Sequence, residues 1–233
     1  MMTPSSAEDL CMIITIDGPA GTGKSTGAQA VAEQLGFDFL DTGAMYRAIG
    51  LAAIRRKANF EDQRELAYVA GLAKIVFDFS RRPPTLLLNG EPVGHLLRSG
   101  EATRAASFVA QVPAIRKMLV QQQKEIGAQR PSLVSEGRDQ GTVVFPDAQL
   151  KFYLDATPAE RARRRAIQLR ARGEIVDVLQ LQRQITERDS RDASRDVGPL
   201  RIPPDARVLD TTHLSQQQVI EQIVADVRQH LPK

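Results

Sequence analysis

The segment Gly18–Ser25 has residue types and a spacing that suit the binding of a nucleoside triphosphate. It fits the pattern G-x-x-x-x-G-K-[ST] at every fixed position. The glycines would let backbone N–H groups turn toward a phosphate, and the start of a following helix would add positive potential. Lys24 would then bridge the β- and γ-phosphates, and the Ser25 hydroxyl would ligate Mg²⁺. The motif predicts a triphosphate site but leaves the acceptor of any phosphoryl group undefined.

A first candidate for binding a second substrate is the segment Asp41–Arg47, at the start of a predicted helix. We expect Thr42 to cap that helix. Arg47 follows about one turn later, where it could meet an anion bound at the helix start. Taken alone, Arg47 fits a solvent-exposed surface residue equally well.

A second candidate follows the predicted strand Leu133–Glu136, which leads directly into Gly137, Arg138 and Asp139. In open α/β sheets, ligands bind outside the carboxyl ends of the strands. Arg138 and Asp139 could therefore face a substrate, or they could form a salt bridge with each other. The residues themselves favour neither alternative.

The third candidate lies on the predicted helix 177–194, where an apolar stripe continues into a charged one. Burying unpaired charges is costly, so the charged end should face a polar cleft or else emerge into solvent. The apolar members are Val178, Leu181 and Ile185, and the charged ones are Arg188, Asp192 and Arg195.

Many of the basic residues are arginines that crowd one helix before this stripe. An arginine fork suits phosphate binding, although a GC-rich genome would also favour arginine. Such a run is usually a solvated face, but two basic helices joined at Gly173 could also form a lid that excludes water from a phosphoryl transfer. The crowded residues are Arg161, Arg163, Arg164, Arg165, Arg170 and Arg172.

Positioning these residues requires alternating strands and helices. The apolar run Met12–Asp17 predicts a buried strand, and Lys24–Leu35 predicts a helix that ends at Gly36. Around Asn89-Gly90 the pattern changes to short strands, which indicates an antiparallel insertion. We therefore predict a P-loop-type three-layer α/β/α fold with a five-stranded parallel sheet, a small antiparallel insertion and a helical lid.

The composition favours an ordinary globular protein, with 42% hydrophobic and 25% charged residues and a net charge of +3. We expect residues 1–11 to form a flexible lead-in without a secretory signal, and we find no apolar run long enough to span a membrane. The single cysteine, Cys11, fits a reducing compartment and is expected to be a small core residue. No aromatic-rich platform supports the alternative of an RNA-binding P-loop protein.

Four motifs occur in an order that resembles the bacterial cytidylate kinases over essentially the whole chain from Met12. They are the phosphate loop, Asp41-Thr-Gly-Ala-Met-Tyr-Arg47, Glu136-Gly-Arg-Asp139 with Gly141–Asp147, and Glu187-Arg-Asp-Ser-Arg-Asp192. Thr42 stands where the family often has serine, and Glu136 replaces a common aspartate. The rival P-loop kinases of adenylate, thymidylate or shikimate would not account for the Asn89-Gly90 insertion or for Asp139.

The resemblance implies a single kinase domain at 12–233, with an acceptor-binding region at about 42–128 and a lid at about 158–195. It implies phosphorylation of CMP and dCMP by MgATP in a cytoplasmic monomer, without nucleic acid or membrane partners. The catalytic residues would be Lys24, Arg138 and Arg188, and the metal ligand Ser25. ATP would contact Gly18, Pro19, Ala20, Gly21, Thr22, Gly23, Lys24, Ser25, Thr26, Arg161 and Arg165. CMP would contact Thr42, Arg47, Ser107, Arg116, Arg138, Asp139, Arg188, Asp192 and Arg195.

Overall fold

A computed structural model describes residues 11–231, so the predicted lead-in lies outside the described residues except for Cys11. The chain divides into a central unit, residues 38–130, and a phosphate-loop unit formed by the remaining described residues. The strands are β1 (Met12–Asp17), β2 (Asp38–Asp41), β3 (Ile75–Asp78), β4 (Thr85–Leu88), β5 (Glu91–Pro92), β6 (Ser132–Glu136), β7 (Leu150–Asp155) and β8 (Arg207–Asp210). The helices are α1 (Lys24–Leu35), α2 (Thr42–Arg55), α3 (Gln63–Leu72), α4 (Gly100–Val109), α5 (Pro113–Gln129), α6 (Pro158–Arg170), α7 (Val178–Ala193) and α8 (Gln216–His230).

The larger sheet is parallel and has the strand order β2-β6-β1-β7-β8, which confirms the predicted fold class. Its central strand β1 pairs with β6 on one side and with β7 on the other. Ile14 and Ile16 on β1 are fully buried, as expected for a strand covered on both faces. Since adjacent parallel strands end at the same edge, the loops that follow β1 and β6 emerge side by side.

The central unit carries the predicted antiparallel insertion, a three-stranded sheet in the order β3-β4-β5. Asn89 and Gly90 join β4 to β5 with positive φ angles of 53° and 85°, which confirms the predicted hairpin. Helices α2 and α4 pack closely at Gly50, where a β-carbon would lie 2.8 Å from that of Ala105. This close packing fixes α4, the helix that carries Ser107.

The prediction that Thr42 caps helix α2 is wrong. Asp41 is the cap, because its carboxylate accepts a hydrogen bond from the N–H of Ala44 at 2.8 Å, and Thr42 is the first residue of the helix. The signal was ambiguous because aspartate and threonine are both good caps and stand next to each other here.

Other local features differ from the sequence predictions in smaller ways. Cys11 is exposed because it precedes β1, so the expectation of a core residue is wrong. Helix α3, capped by the side chain of Asp62, was not predicted. The side chains of Thr157 and Ser215 cap α6 and α8, and of these two caps Ser215 alone has the reciprocal bond of a capping box.

Candidate active site

The phosphate loop depends on glycine at the turn that leaves β1. Gly18 has a φ of +141°, and a β-carbon there would lie 2.0 Å from the carbonyl oxygen of Leu154. Gly23, at the start of α1, has a φ of +89°. Both conformations suit glycine because it has no β-carbon. The loop is therefore held in a fixed shape between β1 and the amino terminus of α1, which favours the binding of an anion.

Lys24 is buried against oxygen atoms of this loop. Its Nζ donates to the carbonyl oxygen of Pro19 at 2.5 Å and to Oγ1 of Thr22 at 3.5 Å. Burial and the nearby guanidinium of Arg138 lower the pKa of Lys24 to about 7. Phosphate oxygens would favour the charged ammonium by replacing these neutral acceptors with anionic ones.

Ser25 and Glu136 bring two oxygen atoms that could ligate a metal ion together beside the phosphate loop. The Ser25 hydroxyl donates to Oε1 of Glu136 at 2.7 Å, and Glu136 is buried at the end of β6. Hydroxyl and carboxylate oxygens are the ligand types that Mg²⁺ takes alongside phosphates and water, so the residues present fit that ion. The longer glutamate still reaches the serine, although the family often has aspartate at this position.

Asp17 is a site residue that the sequence analysis missed. Its carboxylate is fully buried and accepts hydrogen bonds from the N–H groups of Gln140 at 2.9 Å and Gly141 at 2.7 Å. Burial raises the pKa of Asp17 to about 6, although the two backbone donors act in the opposite direction. The only sequence signal was an aspartate at the end of a buried strand, immediately before the glycine-rich motif.

A second cluster joins Arg138, which follows β6, to Asp192 on α7 and to Arg195 just beyond the end of α7. Asp192 is buried and forms ion pairs with Arg195 and, at 3.0 Å, with Nε of Arg138. Burial would raise the pKa of Asp192, but Arg138, Arg195 and Arg188 outweigh it and lower the value. The charged end of the predicted stripe is thus partly buried and paired, and it lies together with Arg138.

Arg161 connects α6 to both the phosphate loop and α7. Its guanidinium donates to the carbonyl oxygens of Ala20 at 3.1 Å and Ala156 at 2.9 Å, and it pairs with Asp189 at 2.5 Å. The resemblance to the cytidylate kinases implies that Arg161 contacts ATP. In this structure its bonds hold α6 and α7 against the loop.

A cavity of about 380 Å³ lies beside the phosphate loop, between α6 and the loop that leads into α8. Arg164 holds that loop by donating to Thr211 and to the carbonyl oxygen of Leu214. The contribution of the loop before α8 was not predicted, because its residues carry no nucleotide-binding motif. The residues that line the cavity include Thr22, Thr26, Glu160, Arg165, Leu214, Ser215 and Gln216.

The central unit contains the remaining predicted ligands. Arg47 pairs with Asp41 at 2.7 Å at the start of α2. Arg116 is buried, and its Cζ lies 5.4 Å from the centre of the Tyr46 ring. Its Nη1 donates to the carbonyl oxygen of Ala110 at 3.4 Å. The buried hydroxyl of Ser107 has no hydrogen-bond partner within the described residues, which is unusual for a buried polar group.

A phosphate loop at a strand–helix junction of a parallel sheet, with Arg138 at the end of the neighbouring strand, is typical of P-loop nucleotide-binding proteins. Residues 14–229 match the family model for cytidylate kinase. The chain belongs to the cytidylate kinase family. It is 43% identical to a cytidylate kinase from Pasteurella multocida (strain Pm70), over 94% of this chain and 96% of that one.

The chain also resembles one part of longer proteins. It is 46% identical, over 95% of its length, to a bifunctional pantoate ligase/cytidylate kinase from Synechococcus sp. (strain JA-2-3B'a(2-13)), and it spans 41% of that protein. A solved structure of an uncharacterized protein from Eubacterium ventriosum ATCC 27560 shares the fold with a TM-score of 0.53 and 12% identity, over 94% of this chain and 99% of that one. Within residues 11–231, no helix is long and apolar enough to cross a membrane.

Proposed function

We propose that the protein transfers the γ-phosphoryl group of ATP to CMP or dCMP, giving ADP and CDP or dCDP. The observation that carries this proposal is the pairing of β1 with β6. It sets the phosphate loop beside Glu136, Arg138 and Asp139 at one edge of the sheet. Family membership supports cytidylate as the acceptor.

ATP would bind with its phosphates on the loop Gly18–Ser25 and with its nucleoside in the cavity beside α6. Lys24 would exchange the carbonyl oxygen of Pro19 for phosphate oxygens. Ser25 and Glu136 would hold Mg²⁺, which when bound neutralises charge on the β- and γ-phosphates. The proposed contacts are Gly18, Pro19, Ala20, Gly21, Thr22, Gly23, Lys24, Ser25, Thr26 and Arg165, with Arg161 acting through its bonds to the loop and α7.

The residues that would bind CMP are proposed from the family resemblance. Asp139, Ser107 and Arg116 would bind the cytosine edge, where an amino donor lies beside acceptor atoms. The unpartnered hydroxyl of Ser107 supports this role, because a base would give it a hydrogen-bond partner. The phosphate would be held by Arg47, Arg138 and Arg188, and the ribose by Asp192 with Arg188. Arg195 would support the base, and Thr42 is a further proposed ligand of CMP.

The reaction needs no general base. The second pKa of a phosphate monoester is about 6, so most of the CMP phosphate is dianionic at neutral pH and can attack directly. Its oxygen forms a bond to the γ-phosphorus as the bond to the bridging oxygen breaks, and ADP leaves. Lys24, Arg138 and Arg188 would stabilise the charge on the transferring group, and closure of the lid would exclude water.

The proposal can be tested by measuring the release of ADP with one acceptor at a time: CMP, dCMP, UMP, AMP, dTMP or shikimate. We expect turnover with CMP and dCMP that greatly exceeds turnover with the others. Asp139→Ala should raise the KM for CMP and reduce the preference for CMP over UMP, with Lys24→Met as an inactive control. Equal rates with CMP and UMP would reject the cytosine assignment, and turnover with none of the acceptors would reject the kinase function. The family resemblance also supports a cytoplasmic monomer. Light scattering would test whether the protein is monomeric.

A further inference from the structure

The two carboxylate oxygens of Asp17 each accept a hydrogen bond from one of the two backbone N–H groups that face them. Oδ1 accepts from the N–H of Gln140 and Oδ2 from the N–H of Gly141, both at hydrogen-bond distance. Asp17 is fully buried, so water cannot replace either bond. Bonds from backbone N–H groups to an ionised carboxylate are among the stronger hydrogen bonds in proteins. The carboxylate therefore fixes the position of the turn that starts at Gln140.

This turn, residues Gln140–Val144, follows directly after Arg138 and Asp139 and is closed by its own backbone bonds. The carbonyl oxygen of Asp139 accepts from the N–H groups of Val143 at 2.9 Å and Val144 at 3.2 Å. Because these bonds tie Asp139 to the turn, moving the turn would move Asp139 and the preceding arginine with it.

The close approach of the turn to Asp17 depends on glycine at position 141. A β-carbon on Gly141 would lie 2.9 Å from Oγ1 of Thr15, 2.9 Å from Cγ of Pro203 and 3.1 Å from Cδ of Lys151. Two of these distances are shorter than real β-carbon contacts, so any larger residue must push the turn or its neighbours outward. The position of the turn is thus constrained from two sides, by the carboxylate and by this packing.

We propose that Asp17 is a positioning residue for the acceptor nucleotide. Asp17 immediately precedes Gly18, the first residue of the phosphate loop, and its side chain holds the turn that follows Arg138 and Asp139. One buried carboxylate therefore sets the acceptor ligands of this unit at a fixed distance from the phosphate loop. The inference rests on the proposed function, because it assigns Arg138 and Asp139 to CMP.

Asp17→Asn tests the inference with little change in size. The amide has one acceptor oxygen, and its NH₂ group would oppose the second backbone N–H. We expect the KM for CMP to rise about tenfold, because a loosened turn would hold Arg138 and Asp139 less firmly, at a cost comparable to that of one charge-assisted hydrogen bond. The KM for ATP should stay within twofold of wild type, since both hydrogen bonds of Asp17 go to the turn and neither goes to the phosphate loop. Hydrogen exchange of the backbone amides in residues 138–145 should become faster.

Gly141→Ala is a second variant that leaves the carboxylate intact and should show the same selective rise in the KM for CMP. Ser135→Ala is the matched control, because it removes a bond to the side chain of Gln140 and spares both bonds to Asp17. Its KM for CMP should stay within twofold of wild type. Circular dichroism would confirm that each variant is folded.

An equal rise of both KM values in Asp17→Asn, or a KM for CMP and an exchange rate that both match wild type, would overturn the inference. Failure of the proposed function would look different, because wild-type protein would then show no CMP-dependent release of ADP. The exchange measurement needs no substrate, so it would still report whether Asp17 holds the turn.

Discussion

The buried carboxylate of Asp17 makes a quantitative prediction about stability and pH. The pKa of Asp17 is raised from its ordinary value of 3.8 to about 6, mainly by burial. The folded protein therefore holds this proton more tightly than the unfolded chain does. The resulting contribution to stability is fully present below pH 3.8 and is lost as the pH rises through about 6. A pKa difference of this size corresponds to about 3 kcal/mol.

Asp17→Asn removes this titration, since an amide does not ionise. We expect the free energy of unfolding of wild type, relative to the variant, to fall by about 2 kcal/mol between about pH 4.5 and pH 7.5. Urea denaturation of both proteins across this range measures the difference, and most other titrating groups cancel in it. Ser135→Ala, which removes no charge, should show no pH-dependent difference from wild type.

A difference between wild type and Asp17→Asn that stays constant with pH would refute this reasoning. It would mean that the pKa of Asp17 is the same in the folded and unfolded states, so the backbone donors would fully offset the cost of burial. A difference that changes in the opposite direction would mean that these donors outweigh burial.

Three further substitutions separate binding from stability. Ser107→Ala should raise the KM for CMP about tenfold yet change the free energy of unfolding by less than about 0.5 kcal/mol, because the hydroxyl has no partner to lose within the described residues. A loss of stability without any change in KM would contradict this role. Asp192→Asn should lower the free energy of unfolding in urea by about 3 kcal/mol, because two guanidiniums lose a buried charged partner. An unchanged urea midpoint would show that the pairs contribute nothing. Arg164→Met should raise the KM for ATP about tenfold and leave that for CMP unchanged, since its bonds hold the loop lining the cavity. Equal changes in both KM values would argue against that cavity as the ATP site.

The parts of the fold that the sequence predicts are those encoded by neighbouring residues. The strand–loop–helix around Gly18–Ser25 follows from an apolar run, a glycine motif and a helical pattern within a short stretch. The turn at Asn89-Gly90 follows from two residues that accept positive φ. Even at this range the prediction of Thr42 as a cap was wrong, because two suitable residues compete for one position.

The contacts that organise the candidate site could not be predicted from one sequence, because they join distant positions. Ser25 and Glu136 are 111 residues apart, and Asp17 and Gly141 are 124 apart. Nothing in the local pattern of either partner specifies the other. The resemblance to a family supplied the proposed substrate ligands, but it did not supply Asp17, whose partners are backbone N–H groups.

Three of the cations with a proposed role already have an oxygen partner in the structure. Lys24 donates to a carbonyl oxygen of the phosphate loop, Arg138 pairs with Asp192, and Arg47 pairs with Asp41. A phosphate bound at any of these groups would therefore either replace or share the existing oxygen partner, so the free energy of binding would be the difference between two sets of bonds. The neutral carbonyl at Lys24 is the weaker competitor, while the carboxylates at the two arginines are stronger ones. Each arginine can still offer its other N–H groups to a phosphate while keeping its carboxylate, which the compact ammonium of a lysine would do less well. This accounts for arginine at the predicted acceptor positions and lysine at the phosphate loop.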